Sequence, residues 1–166
     1  MSQSSDWKHG YFADNGYTFG YYREMAPCYL AWAALLQGVI VPTRNFRYID
    51  LGCGQGLGLI LQAACHPESE FVGVDFMPAH VAHARRLAQA AGITNVRFIE
   101  GDFTALENDA SALADAAGAP LEGQTDYVVA HGIASWVSPT VRASPPGWAR
   151  CWPITASARS GAAAAA

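Results

Sequence analysis

From Arg47 to His131 the sequence alternates short β-branched or aromatic runs with longer Ala/Leu-rich ones, at a period of roughly 25 residues, the pattern of βα units feeding a parallel sheet. The strand candidates are Arg47 to Leu51, Phe71 to Asp75, Val96 to Glu100 and Asp126 to Ala130. Each is a compact apolar run of the kind needed by a strand buried on both faces. Between them, Pro78 sits where a first helical turn tolerates a missing N–H, and Gly92 followed by Ile93 suits a left-handed C-cap, so a helix is predicted over Pro78 to Ala91. A second helix begins around Gly56 and ends near His66, before Pro67. Glu107 to Ala117 is helical by propensity, with a thin apolar face.

Outside this region the rhythm stops. Ahead of the sheet, "GYTFGYYREMAPCYLAWAALLQG" joins an aromatic cluster to a helix after Pro27, read either as a lid over one end of the sheet or as a helix completing the core. From Ala143 onward Pro145, Pro146, Gly147 and Pro153 interrupt any period, and the closing "GAAAAA" reads as low complexity. The expected organisation is a lid segment over 1–45, an α/β core over 46–142 and an irregular tail over 143–166, within one domain. A chain of 166 residues that is 51% hydrophobic and 14% charged supports one globular core.

A net charge of -4 gives no general attraction to nucleic acid or an anionic membrane, and no uncharged run approaches the roughly 20 residues of a spanning helix. The N-terminus lacks a secretory pattern, and Cys28, Cys53, Cys65 and Cys151 are scattered without a CxxC pair. A cytoplasmic protein without a disulfide or zinc framework is expected.

The first strand candidate runs into a glycine-rich bend, "RYIDLGCGQGLGL". A strand, a glycine loop and a helix start put backbone N–H groups beside the carboxyl end of a parallel strand, a common ligand site in open α/β sheets. A triphosphate-binding P-loop would require Lys-Ser/Thr where Leu57 and Gly58 stand. A dinucleotide fingerprint would require Gly or Ala at a position occupied by Leu57, counting from Gly52, or Leu59, counting from Gly54. Asp50 just before the loop would repel a pyrophosphate but can pair with an ammonium while the helix N–H groups receive a carboxylate. That is the charge pattern of an amino-acid moiety, such as the methionine end of S-adenosylmethionine. Asp75, at the end of the second strand, is placed to accept from ribose hydroxyls, in a dinucleotide equally well. Phe76 and Met77 suit an adenine face, and "IEGDF" brings Asp102 and Phe103 to the same edge.

These residues resemble the class I S-adenosylmethionine-dependent methyltransferases. The likeness consists of the (D/E)xGxGxG loop from Asp50 to Gly56, Asp75 after the second strand, Asp102-Phe103 after the third, and "DYVVAHGI" as the fourth, over about Phe46 to Val141. More narrowly, "YTFGYYRE", "FVGVDFMPAHVAHAR" and "HGIASWVSP" are similar to a bacterial subgroup whose longer members carry an appended regulatory domain. The resemblance implies a Rossmann-like parallel sheet with flanking helices, incomplete at about four strands rather than the family's seven. It implies Gly52, Gly54 and Gly56 along the methionine part, Asp50 near its ammonium, Asp75 on the ribose, and Asp102 with Phe103 beside adenine. His131 would stand where the methyl acceptor is positioned, and Tyr17, Tyr21 and Tyr22 could close over the cofactor. The matching stops soon after the fourth strand, so a truncated domain is expected, with Val128 and Val129 on an exposed edge open to self-association.

Plainer readings stand beside these. His80 and His83 form an HxxH pair more readily explained as a solvated helix face than as metal ligands. Cys53 is a small space-filler rather than a nucleophile, and Trp136 packs in the core or lines a pocket. Asp75 has few structural duties at a strand end. The leading function is methyl transfer to a small-molecule acceptor by in-line displacement; a truncated, non-catalytic cofactor-binding or interaction module is the alternative, and a nicotinamide oxidoreductase a third. The chain lacks the Asn/Asp-Pro-Pro-aromatic motif for DNA amino groups and has no basic stripe for RNA.

Overall fold

The computed structural model describes residues 19–101 and 125–133 in full and the backbone of 7–8, 11–12 and 163–165. Two short strands, β1 (Trp7–Lys8) and β2 (Tyr11–Phe12), pair antiparallel. The main sheet contains β3 (Arg47–Leu51), β4 (Glu70–Asp75), β5 (Val96–Glu100), β6 (Tyr127–Val129) and β7 (Ala163–Ala165), in the order β5-β4-β3-β6-β7. Every pairing within it is parallel. The first four strands coincide with the sequence expectation to within one residue at each end. They form the Rossmann-like α/β sheet that the sequence predicts.

The edge of β6 departs from expectation. Tyr127, Val128 and Val129 pair in register with Ala163, Ala164 and Ala165, so this edge is covered by the tail. A strand edge carries unpaired N–H and C=O groups that bond to any backbone able to lie alongside, whatever its side chains. An alanine run with no periodic signal can supply that partner. Composition therefore concealed a strand, and the exposed edge expected for self-association is absent.

Helices α1 (Pro27–Leu36), α2 (Leu57–Cys65) and α3 (Pro78–Ala91) share one core cluster with the sheet. Leu30 and Ala34 of α1 enter that cluster, so α1 completes the core, while the preceding 3-10 turn, Arg23–Met25, lies nearer the cleft described below. Ile49, Leu51, Val72, Val74 and Val128 form a second cluster, which follows from the alternation of side chains across a strand. Phe46 ties the first cluster together, with ring centroids 5.7 Å from Phe71 and 5.1 Å from Tyr127. The Tyr127 hydroxyl donates to the Pro42 carbonyl at 2.6 Å, which resolves its polar end inside apolar surroundings.

Two helix ends are fixed by chemistry legible in the sequence. Gly92 takes φ 68°, and the N–H of Ile93 donates to Ala88 at 3.0 Å, closing α3 as a left-handed cap requires. Below α2, Asn95 Nδ2 lies 3.0 Å from the carbonyls of Ala63 and His66 and 2.9 Å from that of Ser69. One amide thus satisfies the end of α2 and the turn into β4. Among the described residues no helix is long and apolar enough to cross a membrane.

Candidate functional site

The strand order reverses at β3, whose neighbours are β4 on one side and β6 on the other. Helices following strands on the two sides of such a reversal diverge and leave a crevice at the carboxyl ends of the strands. A cleft enclosing about 550 Å³ of empty space, its open mouth included, lies there. Asp50 from β3, the loop residues Gly52 and Gly56, the start of α2, and His131 after β6 all line it.

The bend needs glycine for steric reasons. Gly52 and Gly56 have φ of 78° and 79°, in the left-handed region, and both are crowded. A Cβ on Gly56 would come within 2.6 Å of Ala84 Cβ and 2.7 Å of Phe98 Cε1, and one on Gly52 would overlap Ile133 Cδ1. These contacts tie the loop to α3, β5 and the segment after β6.

The loop's own donors are mostly engaged within the protein. Gly52 N–H and Cys53 N–H donate to the Val74 carbonyl at 2.7 and 3.1 Å, Gly54 N–H to Asp75 Oδ2 at 2.9 Å, and Gly56 N–H to the Cys53 carbonyl at 3.1 Å. The donors left for a ligand are the first-turn N–H groups of α2, at Leu57, Gly58 and Leu59, which a helix start cannot satisfy internally. Glycine therefore shapes this site, and the helix start supplies its positive end.

Asp50 is 6% exposed, and its Oδ1 is buried with no hydrogen-bond partner among the described residues. Burial, and secondarily the negative charge of Asp75, pushes its carboxyl up to about 7. A buried carboxyl that lacks a donor calls for a cation or a proton. Tyr48, whose hydroxyl donates to the Met25 carbonyl at 2.6 Å, borders the same space, and burial together with Asp50 raises its phenol.

Asp75 has more structural duties than its strand-end position suggested. Besides Gly54, its carboxylate accepts from Met77 N–H at 2.9 Å and meets His80 Nδ1 at 3.3 Å. It holds the glycine loop against the start of α3. A carboxylate has about four lone-pair sites, so these contacts leave capacity for another donor. Phe76 and Met77 follow at half-buried positions, outside the lining of the cleft. Gly101 N–H donates to the Asp75 carbonyl at 3.1 Å, bringing the end of β5 beside β4. Asp102, Phe103, Tyr17, Trp136 and the Glu107 to Ala117 segment lie outside the described residues.

Tyr22, rather than Tyr21, lines the cleft, together with Phe19 and Met25. The Tyr22 ring lies over His131 with centroids 4.4 Å apart, and His131 Nε2 is 3.4 Å from Glu24 Oε1. Glu24, Tyr48 and the buried Gln62 were not singled out from sequence. The available signals were a glutamate closing the aromatic run "YTFGYYRE" and a lone glutamine inside the apolar run "LGLILQAAC". Burial pushes the Cys53 thiol up, which disfavours the thiolate a nucleophile needs. His83, half-buried rather than on a solvated helix face, meets Phe19 in a T-shaped contact with ring centroids 5.5 Å apart, and among the described residues no three His, Cys, Asp or Glu side chains gather as a metal-binding group.

Residues 42–141 match the model of a family described as a methyltransferase domain. Over 138 residues the chain is 37% identical to the uncharacterized protein sll1526 of Synechocystis, covering 82% of this chain and 25% of that protein. Over 117 residues it is 31% identical to the uncharacterized protein RP789 of Rickettsia prowazekii, covering 70% and 19% respectively. Among solved structures, PKMT2 from Rickettsia typhi in complex with AdoHcy superposes with a TM-score of 0.65 at 28% identity, over 76% of this chain and 23% of that one. The chain spans no more than about a quarter of the length of these relatives.

Proposed function

The chain belongs to the methyltransferase-domain family, and from that premise we propose that it binds S-adenosylmethionine in the cleft at the end of β3 and supports methyl transfer to a small-molecule acceptor. The observation that carries this reading is Asp50 Oδ1, a buried carboxylate oxygen without a donor, in the same cleft as the free N–H groups of α2. A negative group and a positive helix start facing one space fit the ammonium and carboxylate of an amino-acid moiety. A phosphate would fit the helix start but not Asp50.

In this assignment Asp50 holds the ammonium, the first turn of α2 holds the carboxylate, and Gly52, Gly54 and Gly56 let the ligand approach the backbone. Asp75 accepts from the ribose with the lone pairs its internal contacts leave, Phe76 and Met77 flank the adenine, and Asp102 and Phe103 complete that end. Tyr22, which lines the cleft, closes over the cofactor, and Tyr21 is assigned the same role from outside the lining. When bound, the sulfonium supplies an activated methyl group. The protein's own work is to align the acceptor, exclude water and receive a proton where the acceptor must lose one, a task assigned to His131.

Calorimetric titration of the chain with S-adenosylhomocysteine tests the reading. Heat of binding that is lost in Asp50→Ala is expected; no heat at millimolar ligand with folded protein refutes it. Binding without methyl transfer across a broad acceptor panel would instead assign this chain a non-catalytic cofactor-binding role.

A further inference from the structure

We propose that Gln62 is a further binding residue of the cleft, its side-chain amide recognising the amino-acid end of the ligand as a zwitterion. The proposal rests on the S-adenosylmethionine reading above and deepens it. The buried polar side chains among the described residues are Asp50, Gln62, Ser69, Asp75 and Thr125. Three of them are engaged: Ser69 Oγ accepts from Phe46 N–H at 3.3 Å, Asp75 holds the glycine loop, and Thr125 has a partner. Asp50 Oδ1 is unpaired, and the Gln62 amide makes no hydrogen bond among the described residues. Asp50 and Gln62 are each 6% exposed, and both line the same cleft.

A buried amide without a partner has lost water and gained nothing in return. The fold does not demand one here, since the rest of α2, "LGLILQAAC", is apolar or small and a leucine or methionine would fill the same space. Nor is the amide sealed away. Unlike Asp50 Oδ1, neither of its polar atoms is fully enclosed, and the surface they keep opens on the cleft that Gln62 lines.

The depth of this amide follows from the chain path. β3 and β4 are parallel, so α2, which joins them, runs back along the sheet. Tyr48 stands two residues before Asp50, on the same face of β3 and about 7 Å deeper. Gln62 stands four residues after Gly58, on the same face of α2 and about 6 Å deeper than the helix start. All four residues line the cleft, whose floor therefore combines Tyr48 with Gln62 below Asp50 and the first turn of α2. The Tyr48 hydroxyl is committed to the Met25 carbonyl, so Gln62 is the floor residue with hydrogen bonds to give. His131, on the acceptor side, comes from the segment after β6 instead.

A primary amide carries two N–H donors and one carbonyl acceptor. Its oxygen accepts from the ammonium that Asp50 attracts, and its N–H groups donate to the carboxylate held by the first turn of α2. Rotation about the last side-chain bond exchanges the two ends, so the ligand selects the orientation. Hydrogen bonds to charged groups are the stronger kind, and both partners here are charged. Gln62 thus favours a ligand that keeps its whole α-amino acid over a nucleoside thioether that lacks one.

The test titrates the wild-type chain, Gln62→Met and Gln62→Glu with S-adenosylhomocysteine and with 5′-methylthioadenosine, which has the nucleoside and the sulfur but no amino acid. Gln62→Met, close in shape but without donor or acceptor, should weaken S-adenosylhomocysteine by about tenfold to a hundredfold and leave 5′-methylthioadenosine unchanged. Gln62→Glu should also weaken S-adenosylhomocysteine, because its carboxylate faces the ligand's own. Equal losses for both ligands, or wild-type affinity in Gln62→Met, overturn the proposal and leave the cofactor assignment standing. Absence of heat with S-adenosylhomocysteine in the folded wild type refutes the cofactor assignment and the role of Gln62 with it. Denaturation of the ligand-free chains supplies a readout independent of any cofactor. Gln62→Met removes an unpaired buried amide, so its midpoint should match or exceed that of the wild type; a lowered midpoint would show that the amide serves the fold and would overturn the proposal.

Discussion

Replacing Asp50 with Asn removes a charge while keeping the size of a side chain that is 6% exposed. In the wild type, burial and then repulsion from Asp75 lift this carboxyl from 3.8 to about 7. Below the lower value both folded and unfolded chains are protonated, and the group has no effect on stability. Between the two values the unfolded chain releases its proton while the folded chain retains it, so folding stability falls as pH rises. A shift of about three units amounts to about 4 kcal/mol once pH exceeds the folded value, an upper bound because water in the open cleft solvates the ionised group. Asp50→Asn lacks this loss. Its unfolding free energy from a urea melt should therefore exceed that of the wild type at about pH 8, by about 1 to 4 kcal/mol, with the gap closing at about pH 4.

Ligand binding should move the other way. The same substitution takes away the negative partner of the ammonium, so affinity for S-adenosylhomocysteine should fall by about 2 to 4 kcal/mol, roughly 30- to 1,000-fold in Kd. The variant would be a more stable protein and a poorer binder. Parallel pH profiles of stability for the two proteins would refute the raised carboxyl, and unchanged affinity in Asp50→Asn would refute the ammonium assignment. Because other titrating groups are common to both chains, the difference between the two curves isolates Asp50.

Gly56→Ala forces a Cβ to within 2.6 Å of Ala84 at a φ of 79°, and should cost about 2 to 4 kcal/mol in a denaturant melt. Asp75→Ala frees the N–H groups of Gly54 and Met77, so it should weaken S-adenosylhomocysteine binding and also lower the unfolding free energy by about 2 kcal/mol; a loss of binding at full stability would separate ribose contact from the loop latch. Asn95→Ala leaves the carbonyls at the end of α2 without their shared donor, and should destabilise by about 1 to 2 kcal/mol with faster amide exchange confined to that end of the helix.

Much of the core was legible because it rests on local rules. Pro78 and Gly92 set the limits of α3, and the runs at Arg47–Leu51 and Val96–Glu100 became parallel strands with those bounds, the first buried in mid-sheet and the second, expected to be buried on both faces, at the sheet edge with Phe98 as its buried residue. The tail strand was not legible. Ala163–Ala165 has no strand propensity of its own, and its pairing depends on the free edge of β6, a distant partner that no local pattern encodes. The site divides in the same way. Asp50 and the glycine spacing stood out because a carboxylate before a left-handed turn is chemically unusual, whereas Glu24 is an ordinary glutamate until the fold brings it to His131, more than a hundred positions along the chain.

The sequence alone determined the alternating α/β order, the left-handed bend that only glycine permits, and the carboxylate that disfavours a phosphate beside it. Tertiary structure decided which groups remain available to a ligand. It engaged the N–H groups of Gly52, Gly54 and Gly56 internally and turned Asp75 into the latch of the loop. It left Asp50 Oδ1 and the first turn of α2 facing one cleft, with Tyr22, Glu24 and His131 beside them. The physical reason is that local conformation depends on neighbours in sequence, while desolvation, pairing and charge depend on neighbours in space.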